Sequence, residues 1–285
     1  MSDQNASLPA APDNAVHRIL NIHDGHYRLP VVVIEPVPLS TDVLRTKLVF
    51  LHEGLGSIAQ WRDFPLAVSL AVHLPAVVYE RGGHGNADPL NGPRSVNYLQ
   101  EEALQSLPEV LRRLQIDDAI LIGHSDGGTI ALIFAAVWPE KVRGIITEAA
   151  HVFVEEVTLT GIRAAVSLYD STDLREKFSK YHGINAEAAF RGWSETWLSP
   201  AFRDWNIEKY LPSVRCPVLA IQGRDDEYGT PAQVEAIVNG VSGPAESLIF
   251  TDCGHVPHHQ ARDRVLAEMT RFILTMTKPE MSSSR

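Results

Sequence analysis

The chain has 285 residues, 45% of them hydrophobic and 21% charged, with a formal net charge of −10. That length holds one large α/β domain with an insertion, or at most two domains. The acidic balance argues against nucleic acid or an anionic membrane as a main partner, although a local arginine can still serve an anionic substrate. Met1 to Asn14 lacks a basic end followed by an apolar block, so no signal peptide is expected. No apolar run approaches the roughly 18 residues of a membrane span. Cys216 and Cys253 fit no zinc or redox spacing and are expected as small apolar core residues, which favours a cytoplasmic location.

In chain order, His17–Ile22 and Tyr27–Glu35 read as two strands joined by the hairpin signal Asp24-Gly25. Lys47–Leu51 is a buried strand running into the glycine-rich loop His52-Glu53-Gly54-Leu55-Gly56-Ser57, and a helix is expected from Trp61 to Val72. The strand Ala76–Tyr79 leads into Arg81-Gly82-Gly83-His84-Gly85-Asn86-Ala87-Asp88, a loop by composition. Asn97–Leu114 is an amphipathic helix, Asp118–Ile122 a buried strand, Thr129–Ala136 a helix and Gly144–Thr147 a further strand.

From about Phe153 to Leu211 the alternation stops, and the sequence becomes helical, polar and aromatic, with Trp193, Trp197 and Trp205. It resumes with the strand Pro217–Ile221, a helix near Thr230–Asn239, the strand Ser247–Phe250 and a last helix over Asp263–Thr275. The pattern predicts an α/β fold: a mostly parallel twisted sheet flanked by helices, with a helical cap inserted over 153–211 and a core domain made of 1–152 and 212–285. An insertion at that place covers the carboxyl edge of the sheet, where ligands of α/β folds bind. The tails at 1–14 and 278–285 are expected to fray.

Ser125 lies in Gly123-His124-Ser125-Asp126-Gly127, a G-x-S-x-G pattern between a strand and a helix. Such a turn stands a hydroxyl clear of the sheet at a helix N-terminus, whose N–H groups favour developing negative charge. A serine needs a base, and the base needs an orienting acid. His255, just past a strand in Asp252-Cys253-Gly254-His255, is the expected base; His52, His84, His124, His151, His258 and His259 compete less well. Asp226 in Gly223-Arg224-Asp225-Asp226-Glu227 is the expected acid, ahead of Asp225 and Glu227. The oxyanion donors are expected from the backbone of Asp126 and from Gly54 or Leu55. Glu53 is unusual at its place, and either a bond within the loop or an outward orientation would suit it.

These segments resemble the α/β-hydrolase superfamily, with similarity running from about Leu20 to Ile273. In that family the third strand commonly ends His-Gly-x, so Glu53 replaces the glycine and the oxyanion donor maps to Gly54. The acid usually sits three positions after a glycine, which the resemblance places at Asp226. The serine sets the chain apart from relatives with an aspartate there, the epoxide hydrolases and haloalkane dehalogenases. The resemblance implies acyl transfer without metal or organic cofactor on a small-molecule substrate. The first expectation is a carboxylic ester or thioester of a small, apolar or aromatic substrate, with Leu55, His151, Trp193 and Trp197 as pocket residues. A lactone is an alternative, as is a carbon–carbon bond beside a ketone, for which Arg163 or Arg191 would supply the needed cation. From another class, the alternative is a small-ligand receptor of the same fold.

Overall fold

The computed structural model describes residues 12–38 and 46–277. The expected frayed tails lie outside the described residues, except for 12–14. Eight strands form one sheet: β1 (Ala15–His23), β2 (Arg28–Pro36), β3 (Thr46–Leu51), β4 (Ala76–Tyr79), β5 (Asp118–His124), β6 (Val142–Glu148), β7 (Val218–Gly223) and β8 (Ala245–Phe250). Their order is β1-β2-β4-β3-β5-β6-β7-β8; β1 and β2 pair antiparallel, β2 meets β4 antiparallel, and all later pairings are parallel.

The strands read as near-continuous apolar runs because both faces are covered. Leu48, Phe50, Val78, Ile120 and Ile122 face one layer, with α1 (Phe64–Val72) and α10 (Arg262–Thr277) packed on it. The alternate residues Val49, Leu51, Val77, Tyr79 and Leu121 face the other. That layer contains α2 (Tyr98–Glu101), α3 (Leu107–Arg113) and α4 (Asp126–Val137). The chain then carries α5 (Glu156–Ser171), α6 (Leu174–His182) and α7 (Ala186–Leu198) between β6 and β7 as a helical cap. Its base is closed where Phe153 bridges Asn206 and the Ile207 N–H donates to the Val152 carbonyl at 2.7 Å. The short α8 (Ala232–Gly240) and α9 (Pro257–Gln260) complete the core.

Two expected helices differ in detail. The one foreseen from Trp61 starts at Phe64, because Arg62 takes a positive φ of 53° that no helix accommodates. The one foreseen over 97–114 contains a π-helical turn, Glu102–Ser106, between α2 and α3. Pro108 has no N–H to continue the regular ladder there. Both cysteines are free and buried. Among the described residues, no helix is long and apolar enough to cross a membrane.

Candidate active site

Strand β5 ends at His124, and Ser125 turns the chain into α4 with φ 51° and ψ −116°. This conformation is strained for a residue with a Cβ. Three bonds enforce it: the Ser125 N–H donates to the Glu148 carbonyl at 2.7 Å, and the Ser125 carbonyl accepts from Gly128 and Thr129. Glycine at 127 is a steric requirement, since a Cβ there would sit 2.0 Å from the Leu51 carbonyl oxygen. The tight approach brings the loop after β3 beside the serine.

His255, after β8, donates from Nδ1 to Asp226 Oδ1 at 2.9 Å, which leaves Nε2 as the free basic nitrogen. Asp226 Oδ1 also accepts the Tyr228 N–H at 2.8 Å. Asp226 is 7% exposed, whereas its neighbours Asp225 and Glu227 are exposed. Burial alone would lower the His255 pKa, but the charge and hydrogen bond of Asp226, aided by Glu53 and Glu227, outweigh it and raise it above 6.5. Burial works against Asp226 ionising, but His255 prevails and its pKa is lowered.

The loop His52–Leu55 has every carbonyl held from outside. Both terminal nitrogens of the buried Arg81 donate to it, Nη1 to the His52 carbonyl and Nη2 to the Glu53 carbonyl at 2.8 Å. His84 Nε2 donates to the Gly54 carbonyl, and His182 Nε2, at the end of α6, donates to the Leu55 carbonyl, each at 3.0 Å. His182 Nδ1 meanwhile accepts the Gly85 N–H at 3.0 Å, tying cap to core. With its carbonyls turned away, the loop leaves the Gly54 and Leu55 N–H groups without an acceptor among the described residues, as is the Asp126 N–H. The Asp126 carboxylate points elsewhere, accepting from the Tyr98 hydroxyl at 2.7 Å, and that hydroxyl accepts from Trp197 Nε1 at 2.9 Å.

Ser125 and His255 line one cavity of about 40 Å³ together with Glu53, Gly54, Leu55, His151, Trp193 and Trp197. All four expected pocket residues are therefore brought to it. Trp193 closes over the loop: a Cβ on Gly54 would lie 2.6 Å from its Cδ1. Thr158, Ile162 and Tyr228 also line the cavity and were not foreseen. The position of Tyr228, two residues after the expected acid, was the available signal. Glu53 takes neither orientation expected of it; its side chain turns into the cavity, and burial raises its pKa. No arginine or lysine lines the cavity. Arg163 pairs with Glu156, and Arg191 with Asp170 and Glu187, on the exposed surface of the cap, so neither provides the cation foreseen for an acidic substrate.

The competing histidines are engaged elsewhere. His124 Nε2 donates to the His255 carbonyl at 2.7 Å, and His151 Nε2 to the Tyr228 carbonyl at 2.9 Å. His258 Nδ1 lies 3.1 Å from the buried Glu148, and burial pushes both groups toward their neutral forms. No cluster of three or more metal-ligating side chains occurs among the described residues.

Comparison with known proteins agrees with this architecture. A family model described as the alpha/beta hydrolase fold matches residues 47–210. The chain is 25% identical over 230 residues to 2-hydroxy-6-oxo-2,4-heptadienoate hydrolase of Pseudomonas putida, covering 73% of this chain and 82% of the relative. It is 22% identical to proline iminopeptidase of Saccharolobus solfataricus, covering 89% and 93% of the two chains. Among solved structures, naproxen esterase (carboxylesterase NP) from Bacillus subtilis superposes with a TM-score of 0.69 at 18% identity, over 93% of this chain and 100% of that one. The strand order, the elbow at Ser125 and the matched family model lead to one conclusion: the chain is a hydrolase of the α/β fold and belongs to the α/β hydrolase fold family.

Proposed function

We propose that the protein is a serine hydrolase that cleaves a carboxylic ester or thioester of a small, apolar or aromatic acyl group through an acyl-enzyme. The observation that carries this reading is the shared cavity: Ser125 and the imidazole held by Asp226 face one space, walled by Trp193, Trp197, Ile162 and Tyr228. In this mechanism His255 Nε2 takes the Ser125 proton as the oxygen attacks the carbonyl. The N–H groups of Asp126 and Gly54 hold the oxyanion, His255 protonates the leaving group, and water releases the acid. The chain needs no metal for any of these steps.

Carbon–carbon cleavage of an acidic ketone is a weaker fit, since the only formal charges lining the cavity are the carboxylate of Glu53 and whatever charge His255 carries. The test is a panel of p-nitrophenyl esters from acetate to dodecanoate, with wild type beside Ser125→Ala. A cavity this small predicts fastest turnover at acetate to butyrate and a decline beyond. The variant should fold and lose roughly 10⁴-fold or more. A folded wild type that ignores every ester but cleaves a vinylogous diketone acid, a lactone or a prolyl anilide would overturn the ester reading. Tight binding with no turnover of any of them would favour a receptor.

A further inference from the structure

A second hollow, of about 260 Å³, lies beside the acyl cavity, and Glu53 lines both. Its wall includes the residues that flank the reacting pair in sequence: His124 precedes Ser125, and Val256 follows His255. The His124 ring centroid is 5.1 Å from that of His255. Tyr181 of α6 contributes from the cap side, so the hollow opens between cap and core.

Its lining is unlike that of the acyl cavity. Ser57 is 0% exposed and Trp61 is 3% exposed, yet Ser57 Oγ and Trp61 Nε1 have no hydrogen-bond partner among the described residues. Gln60 Oε1 and His259 Nε2 are buried and unpartnered in the same wall. Leaving a buried polar atom unpaired costs about 1–3 kcal/mol, and four in one hollow require an occupant that pairs with them. The indole offers only a donor, the amide oxygen only an acceptor, and the serine both. His259 bonds the Gln60 backbone through its other nitrogen, and burial lowers its pKa to about 4, so its Nε2 is a neutral acceptor. Glu53 and the exposed Arg62 bring opposite formal charges to the boundary.

We propose that this hollow is the leaving-group subsite, and that it takes a neutral, hydroxyl-bearing alcohol such as a polyol. Mixed donors and acceptors with no net charge match hydroxyl groups, each of which donates and accepts. A phosphorylated group would meet Glu53, and a quaternary ammonium would waste Trp61 Nε1 and Ser57 Oγ as donors. The placement follows from the chemistry: the alcohol oxygen receives its proton from His255, so the rest of the alcohol must occupy space next to that imidazole. This inference rests on the ester reading above.

The test compares kcat/KM for butyrate esters that differ only in the alcohol: ethyl, 1-glyceryl and choline, with p-nitrophenyl butyrate as the control for basic turnover. The glyceryl ester should exceed the ethyl ester by ~10-fold or more. Ser57→Ala and Gln60→Met, each removing one hydroxyl partner, should each cut that ratio by about 2- to 10-fold. Equal rates on ethyl and glyceryl esters, with p-nitrophenyl butyrate turned over, would overturn the proposal and leave the hollow as a solvent-filled space. So would a preference for the choline ester, or a glyceryl preference that survives both substitutions. Failure on all four esters by folded protein would instead bring down the ester reading itself, and the subsite with it.

Discussion

Two residues at the site hold states that water alone would not favour. Ser125 is kept in a conformation costing about 1–3 kcal/mol, because the Glu148 carbonyl and the first turn of α4 fix its backbone on both sides. His255 is fully surrounded by protein yet more basic than free histidine, since Asp226 first, then Glu53 and Glu227, favour the imidazolium over the opposing effect of burial. General-base action requires the neutral ring, so kcat/KM should rise with pH through a midpoint above 6.5. Glu53→Gln removes one of the charges that favour the protonated ring. Its midpoint should move to lower pH, raising the ratio of activity at pH 6 to that at pH 8. Asp226→Asn should lose both orientation and charge and fall by about 10⁴-fold. A pH profile that is flat from 5 to 9, or that shifts upward in Glu53→Gln, would remove His255 from the role of base.

At the scale of elements, the loop after β3 is rigid only because other segments hold it. Arg81 grips two of its carbonyls with a planar fork, which the single ammonium of lysine cannot reproduce. Arg81→Lys should therefore let Gly54 drift from the serine and lower kcat by about 10- to 100-fold, a fraction of the roughly 100- to 1,000-fold cost of losing an oxyanion donor outright. Stopped-flow acylation with p-nitrophenyl butyrate would show it, and wild-type acylation in the variant would deny Arg81 that part. The strands, the elbow and the residues His255 and Asp226 were legible in sequence because each is a local pattern: apolar runs, a glycine bracket, a polar residue at a strand end. The struts were not. Arg81 and His84 looked like ordinary members of a glycine-rich loop until β3 and β4 paired in parallel, Leu48 beside Ala76 and Phe50 beside Val78, which sets their following loops side by side. His182 lies 127 residues from the carbonyl it holds, and no spacing rule reaches that far. The π-helical turn had a visible cause in Pro108, but local chain chemistry gives a break there and not its form. Glu53 was conspicuous from the start, while its orientation depended on Arg81 drawing the loop carbonyls the other way.

At the scale of the whole molecule, the fold buries an unusual number of neutral histidines. Burial lowers the pKa of His182 to about 4, of His258 to about 3 and of His259 to about 4, and it lowers those of His52, His84, His124 and His151 as well. In the unfolded chain each would take up a proton near pH 6.5, so between that value and about 4 the unfolded state binds more protons, and stability falls as pH falls. Glu80 and Glu148, each raised to about 7 by burial, run the opposite way: the folded state holds their protons longer, and they cost stability as pH rises toward 7. Seven histidines against two carboxyls leave the first effect dominant. His182 alone accounts for about 3 kcal/mol of the dependence, at 1.36 kcal/mol for each pKa unit between 6.5 and about 4. Protonating it also turns Nδ1 from the acceptor of the Gly85 N–H into a second donor, which breaks the tie between cap and core from within. Urea unfolding should thus give a free energy that is nearly level above pH 6.5 and declines steadily toward pH 4. In His182→Gln, whose amide can still accept and donate, the decline should be shallower by roughly that amount. The activity limb of His255 lies above pH 6.5, where stability is level, so loss of base and loss of fold separate on the pH axis. If activity and unfolding free energy instead declined together through one midpoint in both proteins, acid would be acting on the fold and not on the imidazole beside Ser125.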